Sequence, residues 1–341
     1  MQSIKNIFFT ITLILTTGFL FTSRAQDPIV ISQYYLYGPV INPAFTGIDN
    51  FTQFQIGTRN HWAGIDENVS TNILTYQVGL KKKLPNTFKD YSLRISDPTL
   101  YDSLFKANYK GVNRLNHGLG GYVIYDKFGP YSQFQAKVNY AIHIALSEKI
   151  RLSIGANAGI INERVDLDEI NLRNPDDDYY QSLLAAGGQN MNINADAGVS
   201  LSGKKWYIGY AYKSIVNASL EENITRSSFS GKLHHINAGF QSKLGSSLHL
   251  IPSFMFVLDS ENNARWDANL RLRYQNQFWA GASYRNSKNM ILMLGLILGD
   301  KFNISYSYDF NTSYPNVFSK THEIGLGLML FKKKNEIPYF L

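Results

Sequence analysis

Lys301-Phe-Asn-Ile-Ser-Tyr-Ser-Tyr-Asp-Phe310 decides how this chain is read. Its even positions, Phe302, Ile304, Tyr306, Tyr308 and Phe310, are large and apolar or aromatic. Its odd positions are Lys301, Asn303, Ser305, Ser307 and Asp309. Successive side chains of a strand point to opposite faces, so a period of two describes a strand with one apolar and one polar face. Thr321 to Phe331 repeats the period, with Ile324, Leu326, Leu328 and Leu330 against Glu323, Gly325 and Gly327, and Lys332-Lys-Lys334 ends it. Each strand has about ten residues, the length with which a tilted strand crosses the hydrocarbon of a bilayer. A sheet edge cannot stay unpaired in hydrocarbon, so such a hairpin requires enough similar neighbours to close a barrel.

Working back from this hairpin, the pattern predicts strands at 51–59, 71–81, 117–125, 133–147, 149–163, 192–202, 205–213, 234–244, 248–258, 264–275, 277–285, 289–298, 301–310 and 320–331. Alternation is plainest in Phe134, Ala136, Val138, Tyr140, Ile142, Ile144 and Leu146, and again in Trp266, Ala268, Leu270, Leu272 and Tyr274. A soluble β-sandwich or propeller also has many short strands. Here the strands are evenly long and the connections alternate between short turns, as at Ser147-Glu148 and Gly203-Lys204, and longer loops, notably 164–191 and 214–233. That asymmetry is characteristic of outer-membrane barrels, with short periplasmic turns and long external loops. The fold class is therefore all-β, a transmembrane antiparallel β-barrel of about 14 strands.

Around this barrel the chain divides further. Residues 1–25 read as a signal peptide: Lys5, an apolar run from Ile7 to Phe21, and small residues Ser23 and Ala25 before Gln26. Residues 26–50 form an irregular aromatic segment punctuated by Pro28, Pro39 and Pro43. The barrel spans 51–331, with 164–191 and 214–233 external loops and 332–341 a C-terminal tail; 82–116 is an insertion that strand parity places in the periplasm against the short-turn rule, so it is either an unusual periplasmic element or holds two further strands. The basic start of 82–116 suits an acidic partner in the periplasm.

Composition bounds the chemistry. With 341 residues and no cysteine, disulfides and thiolate metal sites are excluded. Aromatics make up 14% and charged residues 17%, the latter low against the usual quarter of a soluble domain. The mean hydropathy of −0.20 decides little, because a barrel turns half of each strand toward a polar lumen. The formal net charge is +7, and loss of Lys5 and Arg24 with the leader, which carries no acid, leaves +5.

Candidate sites are few. Lys137, Arg151, Lys205, Lys213, Lys243, Arg265, Arg271, Arg273, Arg285 and Lys301 share the polar parity of their strands, which describes either a basic lumen attracting anions or an acidic polypeptide, or a plugged lumen with networks to Asp196, Asp267 and Asp309. The seven histidines show no metal-type spacing. Asp166, Asp168, Glu169 and Asp176-Asp-Asp178 lack the glycine and closing Glu of an EF-hand loop, and read better as a surface helix capped by Asn174 with Pro175 at its first position. A hydrolase would pair Ser305 or Ser307 with His322. No stacking platform accompanies the positive charge, so nucleic acid is not an expected partner. No cofactor is expected.

Several stretches together resemble the PorP/SprF family, outer-membrane proteins of the type IX secretion systems of Bacteroidota. They are Gln26-Asp-Pro28, Ser32-Gln-Tyr34, Asn42-Pro-Ala44 with Gly47, Asn60-His-Trp-Ala-Gly-Ile-Asp66, Gly118-Leu-Gly-Gly121 with Asp126-Lys127 and Gly129, Tyr306-Ser-Tyr-Asp-Phe310, and Thr321-His-Glu-Ile324. Asn42, Pro43, Trp62, Gly64, Asp126, Asp309, His322 and Glu323 are the motif residues singled out, with no role assigned. Where the family's first loop often continues into a proline-containing strand entry, this chain has Glu67-Asn-Val-Ser70. The resemblance implies a non-enzymatic outer-membrane component of a Gram-negative bacterium, exported with cleavage near Ala25. It also implies partners: outer-membrane lipid, other type IX components, and specific secreted surface proteins such as gliding adhesins. The alternative is a porin or ligand-specific transporter using the basic lumen.

Overall fold

The computed structural model describes residues 29–49, 51–61, 69–80, 115–147, 150–169, 181, 184, 187–220, 231–245, 247–275, 277–299, 301–312 and 320–330. The signal peptide 1–25, most of the 82–116 insertion, the Asn174 helix with Asp176 to Asp178, and the tail 332–341 lie outside these residues.

The strands are β1 (Thr52–Asn60), β2 (Ser70–Leu80), β3 (Leu115–Phe128), β4 (Tyr131–Ala145), β5 (Ile150–Val165), β6 (Gln189–Gly203), β7 (Trp206–Ser219), β8 (Leu233–Phe240), β9 (Ser242–Leu244), β10 (Leu248–Asp259), β11 (Ala264–Tyr274), β12 (Phe278–Arg285), β13 (Asn289–Leu298), β14 (Phe302–Asn311) and β15 (Lys320–Leu330). β8 and β9 both pair with β10 and are one strand interrupted at Gln241. Each strand pairs antiparallel with its sequence neighbours, and β1 pairs with β15 to close a 14-strand barrel. Full closure leaves neither edge of the sheet unpaired, the condition that hydrocarbon imposes.

Strand ends fall within three residues of those predicted, except at β7, which runs to Ser219 instead of ending at 213. The reason is a bulge. Ala195 pairs with Val216 and Ala197 with Tyr212, so Asp196 alone faces Lys213, Ser214 and Ile215. Ser214 takes a left-handed backbone (φ 57°), and beyond it the alternation changes phase: Ile215 and Val216 are both exposed. A period-two reading stops at such a phase change. The loop expected at 214–233 therefore begins as strand, and that expected at 164–191 is bounded by β5 and β6 at Val165 and Gln189.

We call the end where β1 begins and β15 finishes the lower end and the other the upper. The outer surface is apolar between them, with Ile56, Val138, Leu270 and Leu326 each about half exposed or more. On the opposite parity Asn303, Ser305, Ser307 and Asp309 are buried. The interior is filled by the chain's own N-terminal segment, of which residues 31–49 are buried without exception. It is built from short turns, a 3-10 turn Tyr34–Leu36, one turn of α-helix Gly38–Ile41 and a second 3-10 turn Pro43–Phe45. Pro39 and Pro43 sit at helix starts, where a missing N–H costs nothing.

This filling accounts for apolar residues on the inward parity. Ile291, Met293 and Ile297 of β13 point inward and are buried, as are Met255, Trp279 and Met329. Tyr35 packs edge-on to Trp279 at 5.6 Å, and Phe45 edge-on to Tyr207 at 5.6 Å. Leu270 lies near the middle of β11 on the lipid face and Tyr274 at its end. Leu270→Arg is expected to cost about 2–4 kcal/mol and Tyr274→Arg about 0–1 kcal/mol, because the penalty falls toward the interface. Urea unfolding in phospholipid vesicles measures both, and equal costs would refute the placement of the lipid belt.

Candidate functional site

The segment 29–49 descends the lumen from the upper end to the lower, and its polar groups engage Arg59, Asp309, Glu323, Arg151 and Lys213 of the inner wall. At the top, the main-chain N–H groups of Ser32 and Gln33 donate to the two carboxylate oxygens of Glu323, at 2.9 and 3.1 Å. Arg59 donates to Glu323 (3.1 Å), to Asp309 (2.8 Å) and to the Ser32 hydroxyl (2.6 Å), and that hydroxyl donates to Asp309 at 2.5 Å. Arg59 and Glu323 are direct cross-strand partners on β1 and β15. The network therefore spans the seam that closes the barrel. Arg285 extends it, pairing with Asp267 at 2.6 Å and approaching Asp309 at 3.7 Å.

Halfway down, Asn42 is buried completely. Its side-chain oxygen accepts from the Ala44 N–H at 2.9 Å, and its Nδ2 donates to the carbonyls of Val199 and Tyr210, each at 3.2 Å. The Asn42-Pro43 turn rests on three inward glycines of neighbouring strands. A methyl group on Gly155 would lie 2.4 Å from Pro43, one on Gly198 2.0 Å from the Asn42 Oδ1, and one on Gly209 2.8 Å from its Nδ2. At the bottom, Gly47 turns with φ 64°, its N–H donates to Gln77 at 2.9 Å, and the Thr46 carbonyl accepts from His143 at 2.9 Å.

The basic residues picked out by parity occupy three kinds of place. Lys137 is buried on Asp196 (2.8 Å) and Asn194 (2.5 Å), Arg285 is in the seam network, and Arg271 lies 3.5 Å over the Tyr35 ring. Arg151 donates to the Ile48 carbonyl at 3.0 Å, Lys213 donates to the Val40 carbonyl, and Arg265 and Arg273 are buried inside the wall. Lys205, Lys243 and Lys301 are exposed at the lower rim.

Of the motif residues, Asn42 and Pro43 form the central turn, and Asp309 and Glu323 hold the upper end of the segment at Ser32 and Gln33. Asp126 accepts from the Thr71 hydroxyl at 2.5 Å. His322 points outward, with Nδ1 2.7 Å from the Tyr306 hydroxyl. Trp62 and Gly64 lie outside the described residues. Ser305 and Ser307 face inward while His322 faces out, so the Ser–His pairing that hydrolysis would require is not formed. Among the described residues no three His, Asp or Glu side chains converge on a metal position.

The sequence analysis quotes Ser32 and Gln33 only within a family stretch, without a role, and does not single out Arg59. Their signal lay elsewhere: β13 is apolar on both faces, which in a barrel wall implies an apolar occupant inside.

Two outcomes test this assembly. Arg59→Met leaves two buried carboxylates short of their counter-charge and is expected to destabilise by about 3–5 kcal/mol, with the cost falling when Glu323→Gln is added; unfolding of the single and double variants in vesicles measures it. Gly198→Val places side-chain atoms where Asn42 sits, and is expected to expose Tyr34, Tyr35 and Tyr37 to chymotrypsin in a barrel whose gel mobility is still heat-modifiable.

No curated protein matches the chain. Among solved structures it is similar to the Ralstonia pickettii toluene transporter TbuX (10% identity, TM-score 0.46, covering 85% of this chain and 92% of that one). It is also similar to a Pseudomonas aeruginosa FadL homologue (10%, 0.45, 84% and 92%) and to the Acinetobacter baumannii outer membrane protein Omp33 (9%, 0.42, 83% and 99%). The sequence profile of the type IX secretion system membrane protein family PorP/SprF matches residues 23–328, from before the lumen segment to within the last strand, and the chain belongs to that family.

Proposed function

We propose that this chain is a closed outer-membrane scaffold of a type IX secretion system, supporting the secretion or surface retention of one or a few cognate exported proteins. The single observation that carries the reading is the occupied lumen. Residues 31–49 fill the barrel and are tied to its wall at top, middle and bottom, and the space left beside them includes cavities of about 100 and about 20 Å³. A folded adhesin domain has no passage through such an interior. A partner is then held at the ends, where loops on a rigid scaffold usually carry binding.

The upper end bears the connections 61–69, 166–188, 220–232 and 312–319, and in outer-membrane barrels the longer loops are external. The cognate cargo would sit there. The 81–114 connection leaves from the lower, periplasmic end, where its basic start suits an acidic periplasmic component of the same system. The porin reading requires an open lumen and has no support from this interior.

Deleting the gene is expected to remove one or a few surface proteins from the cell while other type IX substrates are still exported. Surface proteomics measures this, and loss of every substrate would overturn cargo specificity. In planar bilayers the purified protein is expected to show no steady conductance, and a variant lacking residues 31–48 that still folds is expected to conduct. A stable open channel in the intact protein would favour the porin.

A further inference from the structure

We infer that the chain enters its barrel through the upper mouth, so that its amino-terminal end is carried beside the upper connections, on the cell surface, as an element of the face offered to a partner. Which side of the membrane this is rests on the orientation proposed above; the path through the lumen rests on the segment's own contacts. A first strand that starts at the lower end would by itself leave the amino-terminal end there, in the periplasm.

The direction of the segment is fixed at both ends. Ser32 and Gln33 are bound to Glu323, the fourth residue of β15, whose cross-strand partner Arg59 is the last but one of β1. Both strands have their upper ends here. Farther along the segment, Gly47 donates to Gln77, three residues short of the lower end of β2, and Arg151, the second residue of β5, donates to the Ile48 carbonyl. Burial gives way at the upper side: residues 31–49 are buried, while Ile29 and Val30 are partly exposed. Ile29 borders the cavity of about 100 Å³ that also reaches Gly231, in the 220–232 connection, and Leu233, the first residue of β8.

The way back is closed. At about 3.3–3.6 Å per extended residue, the three residues between the expected cleavage site and Ile29 reach roughly 11 Å at most. β1 alone has nine residues. At about 3.3 Å each and a tilt of about 40°, these rise roughly 20 Å along the barrel axis. A chain starting at Gln26 therefore cannot return to the lower end, and the lumen it would have to use is filled by residues 31–49. The end made by leader cleavage thus joins the connections 61–69, 166–188, 220–232 and 312–319 at the upper face.

The chain has no cysteine, so single-cysteine variants report position without background. Ile29→Cys is compared with Lys320→Cys, exposed at the upper end of β15, and with Lys301→Cys, exposed at the lower rim, each checked for heat-modifiable mobility. A membrane-impermeant maleimide is added to intact and to lysed cells. Ile29→Cys and Lys320→Cys are expected to react in intact cells, and Lys301→Cys after lysis alone. Because Ile29 is partly buried, a short epitope inserted ahead of Pro28 gives a second readout, and antibody is expected to bind it on intact cells; either signal upholds the inference. If both Ile29→Cys and the epitope follow Lys301→Cys and respond after lysis alone, the inference is overturned. An epitope that antibody reaches from neither side of a folded barrel, with Ile29→Cys equally silent, overturns it as well. Reaction of Lys301→Cys in intact cells with Lys320→Cys protected would overturn the orientation and the external placement with it, and Ile29→Cys that still tracked Lys320→Cys would uphold the path through the lumen.

Discussion

The carboxylate of Glu323 holds the architecture together. Hydrocarbon outside the barrel forces the sheet to close, and closure brings β1 against β15. At that seam Glu323 meets Arg59 across the strands and, with its two oxygens, accepts the main-chain N–H groups of Ser32 and Gln33. One side chain therefore joins the first strand, the last strand and the segment inside. A buried carboxylate is costly unless it is both paired and hydrogen-bonded, and here it is both. Asp309 on β14 and Arg285 on β12 carry the same compensation to the third strand from β15.

Below that point the segment is held by shape. Asn42 supplies hydrogen bonds to two adjacent strands, and it can do so because the wall beneath it has no side chains at Gly155, Gly198 and Gly209. Where the segment carries large residues, the wall answers with apolar ones, as Trp279 and Met293 do for Tyr35. The inner face of this barrel is thus not uniformly polar. It is half of a packed core, and its mixture of glycine, apolar and ionic positions follows the contour of the turns it encloses.

The wall was readable from the sequence because its rule is simple and local: parity, strand length and turn length each follow from the pleat and from the lipid. Leu270, Tyr306 and Leu326 could be placed on the outside by counting. The occupant was not readable in that way. Residues 29–49 alternate nothing, and their role depends on contacts nearly three hundred positions away, as with Ser32 and Glu323. The trace they leave is indirect, in the two-faced apolarity of β13 and the run of small residues in Gly118-Leu-Gly-Gly121, where an added methyl on Gly118 would strike the Thr46 carbonyl. β7 was cut short for a different reason. A bulge changes the phase of alternation without ending the strand, and counting cannot distinguish the two. The pairing of Ser307 with His322 failed on parity itself, since one odd and one even residue in register-matched strands face opposite sides.

The seam has a consequence for biogenesis. Ser32 and Glu323 are 291 residues apart, and the segment made first is the one enclosed by everything made later. Contacts of such separation carry a large loop-closure cost, and non-local pairing of this kind folds slowly. A finished cylinder would have to be threaded by a chain carrying Tyr34, Tyr35 and Tyr37 past a wall already packed around nothing. Wrapping needs no such passage: strands that assemble about the N-terminal segment have Ser32 and Gln33 at hand to satisfy Glu323 when β1 meets β15. On that route the segment is laid down before the seam is sealed, and the wall and its filling are assembled together.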